Sequence, residues 1–378
     1  MTNKGKRELL EALRPRYLKA SKDGKAKILD EFIAATGYHR KYAIRLLNHG
    51  PKPKGWRKRG RSKVYQGEAV QVLEQLWEIA GRICSRRLHP FLSELVTVLE
   101  RQGELALAPE IKAQLLVMSR STIDRCLQPA RFPERRGLST TKPGSLLKSA
   151  IPVRTFADWD DAHPGFVEVD LVAHCGESTH GSYFSTLTTT DIATCWTECL
   201  ILARHTQETV FQAVLQLRRL LPFSLLGLDS DNGGEFINDI LYRYCLAEQI
   251  TFTRSRPYRK NDQAHVEQKN WSVVRKLVGY DRFETKEEFE LLAAIYADWR
   301  LYVNFFQPVM KLVEKKREGS KVSKRYDQAA TPFRRVLASP DVCLEAKAAL
   351  MAQYMTLNPV PLRSRIDANT ARLLKISG

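Results

Sequence analysis

Helical periodicity governs the first third of the chain. Leu9, Leu10, Leu13 and Tyr17 recur on one helical face, and Ile28, Phe32 and Ile33 repeat the spacing. The stretch 34–47 reads as a helix end, a turn at Gly37 and a second helix. That helix carries Arg40, Lys41 and Arg45 on one side and Ile44 and Leu47 on the other. A helix-turn-helix needs this arrangement, because its second helix offers a polar face to the major groove. A purely structural helical hairpin shows the same pattern. Helical spacing returns over 67–128, through Val70, Leu73, Leu76 and Trp77 and then Leu92, Leu95, Val96 and Leu99. Residues 119–127 form one more short helix, capped by Ser119 or Ser121, that reads as a second recognition helix or as simple packing.

From Phe156 the pattern changes. Residues 165–172 are a short buried strand with Asp170 at its end, 183–190 alternate at period two, and 193–202 make a third, apolar strand. Thr206 caps a helix, 224–229 give a fourth strand, 235–247 a second helix and 250–253 a brief fifth strand. Three strands followed by alternating helix and strand predict a mixed five-stranded sheet flanked by helices, an α/β domain. Thr285-Lys286-Glu287-Glu288 is a capping box that opens an amphipathic helix. The expected organisation is therefore a helix-turn-helix-like region 1–50, a basic linker 51–66 and a second helical DNA-binding region 67–130. A linker 131–155, the catalytic core 156–300 and a helical, basic extension 301–378 follow.

Charge changes the picture from fold to partner. The 378 residues hold 60 Lys and Arg against 42 Asp and Glu, a net charge of +18. An excess of this size favours a polyanion, since neutralising phosphates releases counterions whatever the sequence. Residues 51–63 contain seven basic residues and no acid, with Arg57, Lys58, Arg59 and Arg61 at their centre. Pro and Gly keep this run from being helical, so it reads as a strap along DNA or as a solvated linker. Residues 311–325 are another basic run, read as a DNA-facing loop. The seven cysteines are scattered and read as reduced thiols. No run approaches the ~20 apolar residues of a membrane span, and the start lacks an apolar export core. A cytoplasmic, nucleoid-associated protein is expected.

The chemistry concentrates in 225–276. Asp231 follows the fourth strand, Glu267 lies on a helix, and thirty-five residues separate them. With Asp170 they make three carboxylates from separate elements, and like charges converge only around cations. Strands one and four must be neighbours for this to happen. Oxygen-only ligands select Mg2+ or Mn2+, and two such ions stabilise the attacking and leaving oxygens of an in-line displacement at phosphorus. Asp229 shares strand parity with Asp231 and competes with it. Asp191 reads as a turn acid, and Glu168 and Glu235 as surface or supporting residues. Arg256, Arg259 and Lys260 form a basic loop beside the site. Lys269, Asn270, Arg275 and Lys276 on the helix are candidates for the DNA backbone, or a solvated face.

Val169-Asp170, Asp231-Asn232-Gly233-Gly234-Glu235-Phe236 and Glu267 in this order resemble the D,D(35)E core of insertion-sequence transposases and retroviral integrases. Tyr302 to Pro308 and Ala330-Thr331-Pro332 extend the resemblance over about 160–340. It departs at Ala264-His265, where many relatives have Asn-Gly, and at Val274, where many have Lys. The resemblance implies an RNase H-like fold and catalytic, metal-binding Asp170, Asp231 and Glu267. It also implies the use of two Mg2+ or Mn2+ ions, cleavage at transposon ends and joining of the 3′-hydroxyl to target DNA by a homo-oligomer on double-stranded DNA. A DNA-binding regulator with an idle RNase H-like domain and a structure-selective nuclease are the alternatives.

Overall fold

A computed structural model of the chain describes residues 1–51, 64–131, 163–231, 233–255, 264–318 and 321–377. The chain divides into two compact units, Met1–Val64 and Tyr65–Gly378.

The first unit packs α1 (Asn3–Lys19), α2 (Lys22–Thr36) and α3 (Arg40–His49) around Leu10, Tyr17, Leu29, Phe32, Ala43, Leu46 and Leu47. Thr2 and Ser21 accept backbone N–H groups at the starts of α1 and α2. Gly37 ends α2 with φ +68°, a left-handed conformation that a side chain would strain, and α3 begins three residues later. Helix, glycine turn and helix thus stand where the apolar spacing puts them.

The second unit begins with α4 (Glu68–Ile79), α5 (Ser85–Arg101), α6 (Pro109–Leu116) and α7 (Arg120–Leu127), the last capped by Ser119. Its sheet runs β1 (Phe166–Ala173), β2 (Ser185–Asp191), β3 (Thr197–Leu202), β4 (Gly227–Ser230) and β5 (Thr251–Arg254) in chain order. In space the order is β3-β2-β1-β4-β5; β2 is antiparallel to both its neighbours, whereas β4 is parallel to β1 and to β5. The mixed sheet is flanked by α8 (Gln207–Leu220), α9 (Asp239–Ala247) and α12 (Lys286–Phe306). Between β5 and α12 lie α10 (Ala264–Lys269), a π-helical stretch (Asn270–Arg275) and α11 (Lys276–Val278). A two-stranded hairpin, β6 (Leu312–Glu318) and β7 (Lys321–Tyr326), precedes α13 (Pro332–Ala338), α14 (Leu344–Thr356) and α15 (Pro359–Ser377).

Several expected boundaries move for local reasons. β1 runs on past Asp170, because Leu171, Val172 and Ala173 continue the pairing with β2, so Asp170 sits inside the strand instead of ending it. β3 starts at Thr197, not 193: the Asp191 carboxylate takes the Thr194 N–H and hydroxyl and holds the chain in a turn. α9 starts at Asp239, where Asn238 caps it by accepting the Leu241 N–H.

The regions 67–130, 156–300 and 301–378, expected as separate, share one apolar core. Tyr302 donates to the Ile79 carbonyl and Gln307 to that of Ala80. Glu94 on α5 accepts from Arg334 and from the Tyr354 hydroxyl. Asn304, fully buried, takes the Thr197 N–H and donates to the Thr197 carbonyl, tying α12 to the sheet edge. Among the described residues no helix is long and apolar enough to cross a membrane.

Candidate active site

β1 and β4 are neighbours, which brings the first two acids together. Glu168 stands opposite Asp229 in the parallel register, so Asp170 and Asp231, each two residues further on, emerge at the same level. Asp170 accepts the Leu171 N–H at 2.8 Å on one oxygen and the Asn270 side-chain amide at 2.5 Å on the other. Asp231, just past β4, accepts the Gly233 N–H at 2.8 Å. A β-carbon at Gly233 would lie 2.7 Å from the Glu235 carboxyl carbon, so a larger residue there would turn that flexible side chain aside.

Asp170 feels both of the other acids. Burial, then the Asp231 charge and more weakly the Glu267 charge, push the Asp170 carboxyl up to about 7, against the hydrogen bonds from Leu171 and Asn270. Burial also raises Asp231, with Glu235 adding to the rise. Glu267 is exposed on α10. Asp229 has a different setting: fully buried within β4, it accepts the Thr253 hydroxyl of β5 at 2.6 Å.

Glu168, read from the sequence as a surface or a supporting residue, is a supporting one. It is fully buried, and one of its oxygens accepts the N–H groups of both His265 and Val266 at 3.0 Å. These amides open α10, so the strand that carries Asp170 also holds the start of the helix that carries Glu267. A carboxylate is favoured there because the first N–H groups of a helix lack internal partners. The available signal was parity: Glu168 is two residues from Asp170 on the same face of β1.

The helix residues expected on DNA divide. Lys269 is buried, and desolvation pulls its ammonium down to about 8 among Cys195, Arg87, Cys199 and Arg335, away from solvent. Asn270 serves Asp170. Arg275 donates to the carbonyls of Ala173 at 2.7 Å and Gly279 at 3.3 Å and stacks on Tyr280, so its guanidinium pins the helix to the end of β1. Lys276 is exposed, its ammonium 5.6 Å from the ring of exposed Trp271. The wide π-helical turn between Lys269 and Lys276 shifts the helical phase between these two residues. Arg57, Lys58, Arg59, Arg61, Arg256, Arg259 and Lys260 lie outside the described residues. In the first unit Arg40, Lys41 and Arg45 are exposed on α3; Arg40 pairs with Asp30, and Arg45 lies 4.8 Å from the Tyr42 ring centre.

The donor chemistry suits a hard divalent ion, since the three acids offer only oxygen. The Asn270 side-chain oxygen, buried beside Asp170 without a hydrogen-bond partner, adds another oxygen to that neighbourhood. Among the described residues, however, no three of His, Cys, Asp or Glu are placed as a ready-made metal site. The acids fit the ion by charge and donor type.

No known family model matches the chain. Among solved structures, it is similar over 45% of its length to 91% of the catalytic core domain of BIV integrase (TM-score 0.31, 20% identity). It is also similar over 39% of its length to 90% of the HTLV-2 integrase catalytic core domain in complex with magnesium (TM-score 0.30, 16% identity). It is 44% identical over 330 residues to the uncharacterised protein y4rM of Sinorhizobium fredii, a match that spans 87% of this chain and 94% of that protein. The chain belongs to the family of y4rM.

Proposed function

We propose that the chain is a transposase of the integrase type, which cleaves DNA at the ends of a mobile element and joins the freed 3′-hydroxyl to target DNA. The observation that carries this reading is the parallel register of β1 and β4, which brings Asp170 and Asp231 out at one level, with Asn270, three residues after Glu267, donating to Asp170. Each of the three acids is held by this chain's own groups. Asn270 orients the Asp170 carboxylate, the Gly233 N–H fixes that of Asp231, and Glu168 sets the start of the helix bearing Glu267. When bound, a pair of Mg2+ or Mn2+ ions would supply Lewis acidity to the phosphodiester and lower the pKa of the attacking hydroxyl. Duplex DNA is the partner, with Arg40, Lys41 and Arg45 of α3 offered to its major groove. Two element ends must meet, so the working form is a homo-oligomer on DNA.

A second reading is a DNA-binding regulator with an idle catalytic domain. It is favoured by the Asp170 carboxylate, both of whose oxygens already accept hydrogen bonds from the protein. One assay separates the two: the full chain, Mg2+, and an oligonucleotide duplex of the element's end. Joined product is expected; binding without cleavage supports the regulator, and hydrolysis without joining supports a nuclease. Glu267→Gln should abolish cutting and leave DNA affinity nearly intact, and undiminished cutting by that variant contradicts the assignment.

A further inference from the structure

The β6–β7 hairpin has a fixed root and a bare blade. At the root, Lys311 and Asp327 face each other: the Lys311 N–H donates to the Asp327 carboxylate at 2.7 Å, and the Asp327 N–H to the Lys311 carbonyl at 3.0 Å. The Lys311 ammonium reaches the Ala193 carbonyl at 2.8 Å, and Arg335 on α13 pairs with Asp327 at 2.7 Å. Beyond this clamp the strands pair with each other. Leu312, Val313, Val322 and Tyr326 are 41–52% exposed, and Lys316, Ser323 and Arg325 are exposed as well, so among the described residues neither face of the ribbon is covered. A lone two-stranded ribbon is marginal in water, and one with exposed apolar side chains gains from a surface to lie against.

Charge says which surface. Residues 311–326 hold seven basic residues and two acids. One of the acids, Glu314, is shared between Lys316 at 3.0 Å and Arg325 at 3.2 Å. Register puts Arg325 with Glu314 and Lys316 on one face, whereas Lys324 shares the other face with Val322. Positive charge therefore lies on both sides of the blade. A second copy of a chain at +18 is a poor mate for it, and a polyanion a good one. At ~3.4 Å per residue, strands this long reach about 20 Å from the root, roughly six base pairs of duplex, and a two-stranded ribbon fits the ~12 Å major groove.

We propose that the β6–β7 ribbon is a DNA-docking arm that enters the major groove and places Lys316, Lys324 and Arg325 against phosphates on either side. The inference rests on the reading of the chain as a DNA-processing protein, but it concerns a surface that contributes none of the three acids. The test is fluorescence anisotropy of the full chain with a random duplex of about thirty base pairs, from about 50 to 200 mM salt. Lys316→Ala/Lys324→Ala/Arg325→Ala should weaken binding at least tenfold near 150 mM salt and lower the slope of log affinity against log salt by about 0.9 for each phosphate no longer neutralised. All three are exposed, so the melting temperature should stay put. Netropsin, which fills the minor groove, should leave the difference between parent and variant unchanged; its disappearance would overturn the groove assignment.

Unchanged affinity and slope in the triple variant would overturn the arm, and so would Leu312→Ser/Val313→Ser if it changed the sedimenting mass and spared DNA binding. If the parent binds duplex but never cleaves it, the catalytic reading fails while the arm is still decided by the slope. If the parent binds and cleaves while the triple variant matches it, the arm alone fails. A parent without affinity for duplex overturns both.

Discussion

Glu168 on β1 accepts the backbone N–H of Val266 at 3.0 Å, one residue before Glu267. With the His265 N–H on the same oxygen, the carboxylate satisfies two donors at a buried helix start. Glu168→Ala leaves both without that acceptor, at about 1–3 kcal/mol each, and should lower the melting temperature by several degrees. Glu168→Gln keeps a carbonyl oxygen and should lose less. If Glu168 positions Glu267, DNA nicking well below the melting transition should fall far more in the alanine variant than in the glutamine variant. Full turnover by Glu168→Ala at that temperature would leave Glu168 a structural residue only.

Asp170 predicts a conflict between stability and function. Its folded carboxyl lies at about 7, raised from 3.8 by burial and then by Asp231 and Glu267. For a raised acid, the contribution to stability is complete below the unfolded value and disappears as pH rises through the folded one. Asp170→Asn in EDTA should therefore melt above the parent at pH 8, and the gap should close by about pH 4. The ceiling is about 4 kcal/mol, from roughly three pH units at 1.36 kcal/mol each. The asparagine oxygen can still accept from Asn270. Adding Mg2+ should raise the parent and leave the variant where it was, since only a bound ligand stabilises by mass action. A calorimetric pH series decides this, and equal melting at pH 8 in EDTA would refute it.

The sheet was legible because its strands carry their own signatures. The buried run read at 165–172, the alternation at 183–190 and the run at 224–229 each mark a strand that the fold contains, over 166–173, 185–191 and 227–230. The Asp231 turn was legible too, because Asn-Gly-Gly after a strand leaves little else to predict. What Glu168 supports was not legible, because its role depends on two amides nearly a hundred residues away, and no local pattern records which helix will start beside a strand. That the regions on either side of 130 and 300 share one core was hidden for a related reason. The apolar faces of α4, α5 and α15 look self-sufficient as sequence, yet they complete one another's core.

Arg275 tests whether a basic residue near the site touches backbone or phosphate. Its two carbonyl acceptors and the Tyr280 ring use the planar guanidinium, which an ammonium cannot replace. Arg275→Lys keeps the charge but loses this geometry. The expected result is a drop in melting temperature with an unchanged salt slope of DNA binding. A slope lowered by about one, with stability intact, would put Arg275 back on the phosphates.

Lys269 offers the sharpest contrast between composition and placement. In the sequence it belongs to a basic stretch beside Glu267; in the fold it is buried, and desolvation brings its ammonium from 10.5 to about 8. For a depressed lysine, the stability contribution is present above the unfolded value and is lost as pH falls through the folded one. At pH 7 the folded state therefore carries a charge it holds poorly, at up to about 3 kcal/mol for roughly 2.5 pH units. Lys269→Met fills much the same volume without the charge. It should melt above the parent at pH 7, the advantage should shrink between about pH 8 and 10.5, and duplex affinity should be unchanged across salt. Lys269→Glu puts an acid into the same buried place and should unfold the second unit. A methionine variant that binds DNA more weakly, with a lower salt slope and no gain in melting temperature, would mean that the ammonium reaches solvent and a phosphate after all.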